Sequence, residues 1–297
     1  MKVRFWGVRG SFPVAGPGVA KYGGDTSCVE LRAGNVIMAL DAGTGIRGMG
    51  KMLLADGFGD GKGRLRLLVS HTHWDHIQGF PFFTPGYIPG NRIDIFSLWS
   101  ADRSLKETFS YQQQTAYFPV PLEKMQATMN FIEIQEGQPF QVEDVAIEAW
   151  RLNHPGITSG YRIAHQGRYV AYITDTAPCR DLVLGEGMKA DSEDEKVHLL
   201  KELRAGIEML AGGADLLIFD TQFVSEEYLP RMNWGHGTVD DAIEVALVAG
   251  AKRLALFHHA PERTDEEIDR LLTSRRARLA GSGLDILGAS AGLTLEV

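Results

Sequence analysis

Ser70-His71-Thr72-His73-Trp74-Asp75-His76 concentrates more potential chemistry than any other part of the chain. It follows an apolar run, Leu65 to Val69, that reads as a buried strand. It precedes Ile77, Gln78, Gly79 and Phe80, enough for one short helical turn. Three imidazoles and a carboxylate within six residues are costly to pack as plain core, because each needs a hydrogen-bond partner or a shifted pKa. A metal ion satisfies all of them at once. His71 and His73 stand two positions apart, so at a strand end they point the same way. Asp75 and His76 lie just beyond, where the chain can turn back toward the same point. Nitrogen and oxygen donors without thiolate suit zinc, manganese or iron. A polar loop of solvated histidines is the plain alternative, and the tight spacing beside a clear strand argues against it.

The pattern His71-x-His73-x-Asp75-His76 resembles the signature of the metallo-β-lactamase superfamily. The resemblance implies an α/β fold, a four-layer αββα sandwich with mixed, mostly antiparallel sheets, holding two divalent metal ions at its rim. In that family one ion takes the first two histidines and a later one. The other takes the aspartate, the adjoining histidine and a last histidine, and a later aspartate bridges the two.

Composition sets looser bounds. With 297 residues and no shift in composition, the reading is a single domain over 1–297 with an aromatic and Pro-rich insertion around 80–130. The hydrophobic fraction of 44% is ordinary for a globular protein with a large core. A net charge of -8 argues against a dedicated nucleic-acid binder, which usually shows a basic face. Met1 to Trp6 lacks an apolar signal core, and no apolar run approaches membrane-spanning length. The expectation is a cytoplasmic protein without a membrane partner. Cys28 and Cys179 do not have metal-type spacing and read as free thiols.

Along the chain, Lys2 to Trp6 alternates as a strand should. Gly7 to Gly24 is a long Gly- and Pro-rich loop, and such loops are more often functional than idle. Two short strands near Val29–Leu31 and Val36–Leu40 flank a Gly34-Asn35 turn. A helix follows through Met52-Leu53-Leu54. Asp41, at a strand end, either supports the His71 loop by hydrogen bonding or caps a turn. Phe80 to Gly90 is aromatic and Pro-rich; it lines a pocket, forms a subunit contact in a homodimer, or packs as a satellite core. Leu105 to Tyr117 reads as a helix ended by Phe118-Pro119. Four strands fall within 131–173, and 185–195 reads as a polar, mobile loop before a helix over 197–210. Asp215 to Phe219 and Arg253 to Phe257 are further buried strands. Thr238 and Asp241 give a partial capping signal, and Asp265 to Leu279 is a charged amphipathic helix. Leu293 to Val297 is a final edge strand.

His154, Asp175 and His258 each follow one of these strands, where the resemblance implies the remaining ligands. One ion would take His71, His73 and His154; the other Asp75, His76 and His258; Asp175 would bridge. Leu254-x-Leu256-x-His258 resembles the last-histidine segment of the phosphodiesterase branch, so His258 is chosen and His259 is assigned a supporting place. Two metals about 3.5–4 Å apart can hold a hydroxide and clamp both oxygens of an in-line displacement. Zinc is the first choice and manganese the second.

Gly235-His236-Gly237-Thr238, taken with Asp220, resembles the Gly-His-Ser-Thr segment of the ribonuclease Z and phosphodiesterase branch. There the histidine serves the scissile phosphate and an acidic residue orients it. Phosphodiester cleavage expels an alkoxide, which a nearby imidazolium protonates, and a carboxylate favours that charged form. Gly7-Val8-Arg9-Gly10-Ser11 and Tyr22-Gly23-Gly24-Asp25-Thr26-Ser27-Cys28 resemble a bacterial branch of these phosphodiesterases that commonly carries Asn at the position of Asp25. Arg9 and Ser11 either hydrogen-bond a phosphate or brace their loop. The catalytic set read from the sequence is Asp75, His236 and Asp220. The substrate expected first is a cyclic nucleotide or related small phosphodiester. The rival is a ribonuclease Z-like RNA-processing nuclease, disfavoured by the acidic charge and the absence of a long basic arm. A thioester hydrolase or sulfur dioxygenase of the same fold leaves His236 and Asp220 without a role.

Overall fold

In the computed structural model of the protein, which describes residues 1–183, 190 and 192–297, the apolar alternations become two seven-stranded sheets, one in each of two compact units. The first unit comprises Met1–Val14, Gly23–Gln135 and Ser290–Glu296; the second comprises Ala15–Tyr22, Glu136–Ala289 and Val297.

The first unit contains β1 (Lys2–Gly7), β2 (Cys28–Ala33), β3 (Val36–Leu40), β4 (Arg64–Leu68), β5 (Arg92–Leu98), β6 (Thr128–Ile134) and β14 (Thr294–Glu296). Their order is β14-β1-β2-β3-β4-β5-β6, with β14 at the edge. The pairs β14/β1, β1/β2 and β2/β3 are antiparallel, and β3/β4, β4/β5 and β5/β6 are parallel. The Gly34-Asn35 turn joins β2 to β3 with Gly34 at φ 56°, a conformation glycine adopts without Cβ strain. The inner parallel strands β4 and β5 bury nearly every side chain, as a sheet covered by helices requires, whereas β6 at the edge is mostly half-buried. Covering them are α1 (Ile46–Leu53), α2 (Trp74–Ile77) and α3 (Leu105–Gln112). Phe80 and Phe83 of the aromatic segment are fully buried among Ile46, Met49, Leu67 and Ile95. That stretch therefore contributes to the core; Phe80 meets Phe109 of α3 edge-on at 4.7 Å. The helix expected to reach Tyr117 stops at Gln112, where the Gln112 amide is drawn to the Ile77 carbonyl at 2.8 Å. Beyond it the backbone tightens to i→i−3 bonds, Gln113 N to the Ser110 carbonyl at 3.2 Å and Gln114 N to the Tyr111 carbonyl at 3.1 Å, which end the α-helix.

The second unit contains β7 (Phe140–Val142), β8 (Val145–Arg151), β9 (Ser159–His165), β10 (Arg168–Ile173), β11 (Leu216–Asp220), β12 (Arg253–Phe257) and β13 (Asp285–Gly288). Its order is β13-β12-β11-β10-β9-β8-β7. The strands β7 to β10 pair antiparallel and β10 to β13 parallel. Parallel neighbours need crossovers, supplied by α4 (Glu193–Ala211), α6 (Val239–Val248) and α7 (Asp265–Arg278), with α5 (Ser225–Tyr228) as one extra turn. The Thr238/Asp241 signal is a full capping box, and Thr264/Glu267 forms another. The expected mobile loop over 185–195 lies partly outside the described residues; Ser192 caps α4, so its last three residues, 193–195, are helical.

Because β10, β11 and β12 run parallel, their carboxyl ends share one rim of the second sheet. β8 points the same way, being two antiparallel steps from β10. That rim carries His154, Asp175, Asp220 and His258, where open α/β sheets characteristically bind ligands.

No helix among the described residues is long and apolar enough to cross a membrane. Cys28 and Cys179 are free thiols.

Candidate functional site

In the first unit, β3 delivers Asp41 and β4 delivers Ser70 at adjacent strand ends. Asp41 sits at φ 61°, a left-handed conformation that costs a non-glycine residue about 1 kcal/mol or more. Its carboxylate explains why the strain persists. It accepts the Ser70 N–H at 2.7 Å, the Ser70 hydroxyl at 2.8 Å and His76 Nδ1 at 2.7 Å. A carboxylate only accepts, so Nδ1 of His76 carries the proton and Nε2 presents its lone pair. That Nε2 lies 3.3 Å from Asp75 Oδ2. His71 Nε2 and His73 Nδ1 converge to 2.9 Å, a separation at which two imidazoles share a proton or a cation. His71, Asp75 and His76 are buried, whereas His73 is exposed.

The turn back toward one point is made by α2, which begins immediately after His73. It is clamped to the Asp41 strand end, with Ala42 N donating to the His76 carbonyl at 2.7 Å and Gly79 N to the Ala42 carbonyl at 2.9 Å. Gly43 has to be glycine here, since a Cβ would fall 2.3 Å from the Asp75 carbonyl oxygen. Asp75 Oδ2 also accepts the backbone N–H of Ser11 at 2.7 Å, with Ser11 at φ 63°. Arg9 is fully buried and its Nε donates to the Gly23 carbonyl at 2.8 Å, so it braces the loop. Asp25 is exposed, and its backbone carbonyl receives the N–H groups of Val8 and Arg9 at 2.8 and 3.0 Å.

In the second unit, ligand atoms of Asp175, Asp220, His236 and His258 all lie within 4.8 Å of one another, and all four residues are buried. Asp175 (φ 51°) and His258 (φ 59°) are again left-handed at strand ends. Of the six non-glycine residues with such φ among the described residues, Ser11, Asp41, Asp175 and His258 belong to these groups. The other two, Glu143 and Gln166, occupy hairpin turns. His258 Nε2 stands 3.2 Å from Asp175 Oδ1, and the His258 ring stacks on His236 at 5.1 Å. The Asp175 carboxylate accepts the Thr174 hydroxyl at 2.7 Å. His154 Nδ1 donates to the Gly235 carbonyl at 2.8 Å, which fixes the tautomer and leaves Nε2, 3.9 Å from Asp175 Oδ2, as the donor atom. Gly235 is at φ 83°, and a Cβ there would come within 2.3 Å of His154 Nδ1.

Asp220 is fully buried and accepts His236 Nδ1 at 3.0 Å. It also accepts the N–H groups of Thr176, Gly237 and Gln222 at 3.1, 3.3 and 3.0 Å. One carboxylate thus fixes His236 together with the loops bearing Asp175 and His236. His259 faces a different set of partners: its Nε2 lies 3.0 Å from the Ala289 carbonyl and its ring meets Tyr22 edge-on at 5.6 Å.

Two residues with evident structural roles carried no sequence signal. Ser70 links Asp41 to the imidazoles, with its hydroxyl 3.1 Å from His71 Nδ1. Asn153 uses its amide to tie down the segment after Asp175, donating to the carbonyl of Asp181 at 2.6 Å and accepting from Val183 N at 2.9 Å. Only adjacency to His71 and His154 pointed toward either. Taken unit by unit, the donors are nitrogen and oxygen and convergent; all but the exposed His73 are buried, and Asp41, Ser70, Gly235 and Asp220 orient the imidazoles of His76, His71, His154 and His236 from their far side. That is a donor set fitted to divalent metal ions.

Comparison with known proteins identifies the family and the fold. Residues 39–192 match the family model of the β-lactamase superfamily domain. A ribonuclease Z of Gemmatimonas aurantiaca is 26% identical over 288 residues, covering 86% of this chain and 84% of that protein. Among solved structures, the metallo-β-lactamase fold protein YhfI of Bacillus subtilis superposes with TM-score 0.65 at 20% identity, covering 100% of this chain and 98% of its own. The short form of human tRNase Z gives TM-score 0.64 at 18% identity, covering 100% of this chain and 99% of its own. The two mixed sheets with their helices are therefore the metallo-β-lactamase fold.

Proposed function

Because the chain belongs to the β-lactamase superfamily and is a metal-dependent hydrolase of that fold, we propose that it cleaves phosphodiester bonds in RNA, as the name of its ribonuclease Z relatives denotes. The observation that carries this reading is the buried Asp220–His236 pair, 3.0 Å apart, in Gly235-His236-Gly237-Thr238. With Nδ1 held by a carboxylate, His236 offers Nε2 to hold and deliver a proton. A departing ribose alkoxide needs that proton, whereas a thioester hydrolase has no evident use for the pair.

The metal ligands proposed are His71, His73 and His154 for one ion, Asp75, His76 and His258 for the other, with Asp175 serving both. The family resemblance supports this division. The tautomers set by Asp41 and Gly235 support it too, since they turn Nε2 of His76 and of His154 into donors. Two divalent ions, zinc in the first instance or manganese, would supply an activated water and neutralise charge on the phosphate. The residues do the rest: Asp41 and Ser70 orient the imidazoles, Asp220 orients His236, and Ser11 N–H orients Asp75.

The same reading places the protein in the cytoplasm. It includes a homodimer, whose contact would use the exposed Phe82 and Tyr117 of the 80–130 segment. A second reading, a small phosphodiester such as a cyclic nucleotide as substrate, is favoured by the net charge of -8, unusual for a protein that grips RNA.

A metal-reconstituted screen over pre-tRNA, cyclic mono- and dinucleotides, bis-p-nitrophenyl phosphate and a thioester tests both. Endonucleolytic cleavage of pre-tRNA is expected. Turnover of cyclic nucleotides alone moves the substrate to the second reading, and turnover of the thioester alone defeats the phosphodiesterase assignment.

A further inference from the structure

Immediately before His236 the chain displays an aromatic residue that its fold does not bury. Trp234 is 58% exposed, although an indole is among the side chains that gain most from burial. It ends the short turn Leu229–Trp234. Its ring is held edge-on to Phe223 at 6.3 Å, and Phe223 in turn meets the His236 ring edge-on at 5.8 Å. Phe223 is buried and pinned by the backbone, its N–H donating to the Gly237 carbonyl at 3.1 Å and its carbonyl accepting from Val239 N at 3.1 Å. Trp234 is therefore linked to His236 through one intervening ring. The Arg231 guanidinium lies 5.7 Å from the Phe223 ring and 5.8 Å from the Trp234 ring. Arg231 donates to the Glu227 backbone carbonyl at 3.2 Å, while the Glu227 carboxylate is engaged by Arg263.

An exposed indole beside a cation, one ring away from the imidazole proposed as proton donor, has a definite chemical complement. A flat heteroaromatic ring stacks on the indole, and a phosphate attached through a sugar is drawn to the guanidinium and reaches His236. We infer that Trp234 and Arg231 form a nucleobase subsite that holds the nucleoside joined to the scissile phosphate. The inference rests on the proposed phosphodiesterase function and specifies its substrate: a phosphodiester bearing a base, in preference to one without. A base stacked on an aromatic side chain contributes about 1–3 kcal/mol, so its loss corresponds to an effect of about five-fold to about 150-fold.

The test compares two esters with the same leaving group, the p-nitrophenyl ester of uridine 5′-monophosphate and methyl p-nitrophenyl phosphate, in metal-loaded wild-type, Trp234→Ala and Trp234→Phe proteins. The ratio of kcat/KM for the nucleoside ester to that for the methyl ester is expected to fall about ten-fold in Trp234→Ala, through KM, and to be largely kept in Trp234→Phe. Equilibrium dialysis supplies a readout independent of turnover: wild-type protein should bind uridine 5′-monophosphate more tightly than ribose 5-phosphate, and Trp234→Ala should erase the difference. A third arm asks where the base comes from. A Trp234→Ala defect on a short RNA with a 2′,3′-cyclic nucleotide unaffected assigns the subsite to RNA, and the reverse assigns it to small nucleotides. Equal discrimination by wild-type and Trp234→Ala proteins in both kinetics and dialysis overturns the subsite while leaving phosphodiesterase activity in place. If the wild-type protein cleaves no phosphodiester at all, the functional reading falls, and dialysis still decides the subsite.

Discussion

His71, His73, Asp75 and His76 come from a single turn of chain in one unit, whereas His154, Asp175, Asp220, His236 and His258 are gathered from separate strand ends and loops in the other. The compact group needs little scaffolding: one carboxylate, Asp41, and the four-residue helix α2 orient it. The dispersed group depends on the parallel register of β10, β11 and β12, and on Asp220, which receives three backbone N–H groups as well as His236. Each group nevertheless uses the same device. A buried aspartate turns a histidine by its Nδ1, and left-handed residues at strand ends re-aim side chains that regular strands would point elsewhere. The difference predicts how each group fails when its organising carboxylate or its working imidazole is removed.

The largest quantified effect belongs to the dispersed group. His236→Ala should slow a phosphodiester with a ribose leaving group by about 10²–10⁴-fold, the usual range for general-acid assistance. A p-nitrophenyl ester leaves without a proton, so it should be affected far less, with the metal content retained. Equal losses on both esters, measured as kcat under saturating substrate, would mean that His236 positions phosphate or metal and is not the proton donor. Asp220→Asn should lose activity of the same kind and stability as well, because an amide cannot accept from His236, Thr176 and Gly237 with the group that replaces Oδ2. The double variant should be less than additive, since the pair acts as a unit.

A smaller effect is expected from the organiser of the compact group. Asp41→Asn removes the acceptor that holds His76 Nδ1 at 2.7 Å but leaves every proposed ligand in place. Metal affinity, read by competition with a chromogenic chelator, should fall about 10–100-fold, the range for partners that orient metal ligands. Turnover at saturating metal should recover most of its rate. Unchanged affinity would mean that the strained Asp41 backbone serves the fold alone.

This contrast also governs what the sequence could reveal. The run from His71 to His76 was legible because donor density within six residues has few structural explanations. His154, Asp175 and His258 each look like an ordinary strand-end polar residue, and family resemblance was needed to single them out. The strands themselves were legible from alternation and apolar runs, except β7 and β13, which were not picked out from the sequence. The contact from Ser11 to Asp75 left no trace because its donor is a backbone N–H, which any residue but proline supplies. Ser70 and Asn153 act through long-range hydrogen bonds, of which neighbouring residues carry no record. Arg9 was ambiguous between substrate contact and bracing until its burial and its bond to the Gly23 carbonyl decided for bracing.

The central claim is that the chain hydrolyses phosphodiesters through metal ions held by the proposed ligands. It is tested most directly by counting metal ions per chain by mass spectrometry in purified wild-type and His73→Ala proteins, with phosphodiester hydrolysis assayed on the same samples before and after chelation. Up to two transition-metal ions per wild-type chain are expected, with hydrolysis lost on chelation and restored by added zinc or manganese, and with His73→Ala losing metal and activity together. A wild-type protein that contains no metal and hydrolyses at its full rate would contradict it.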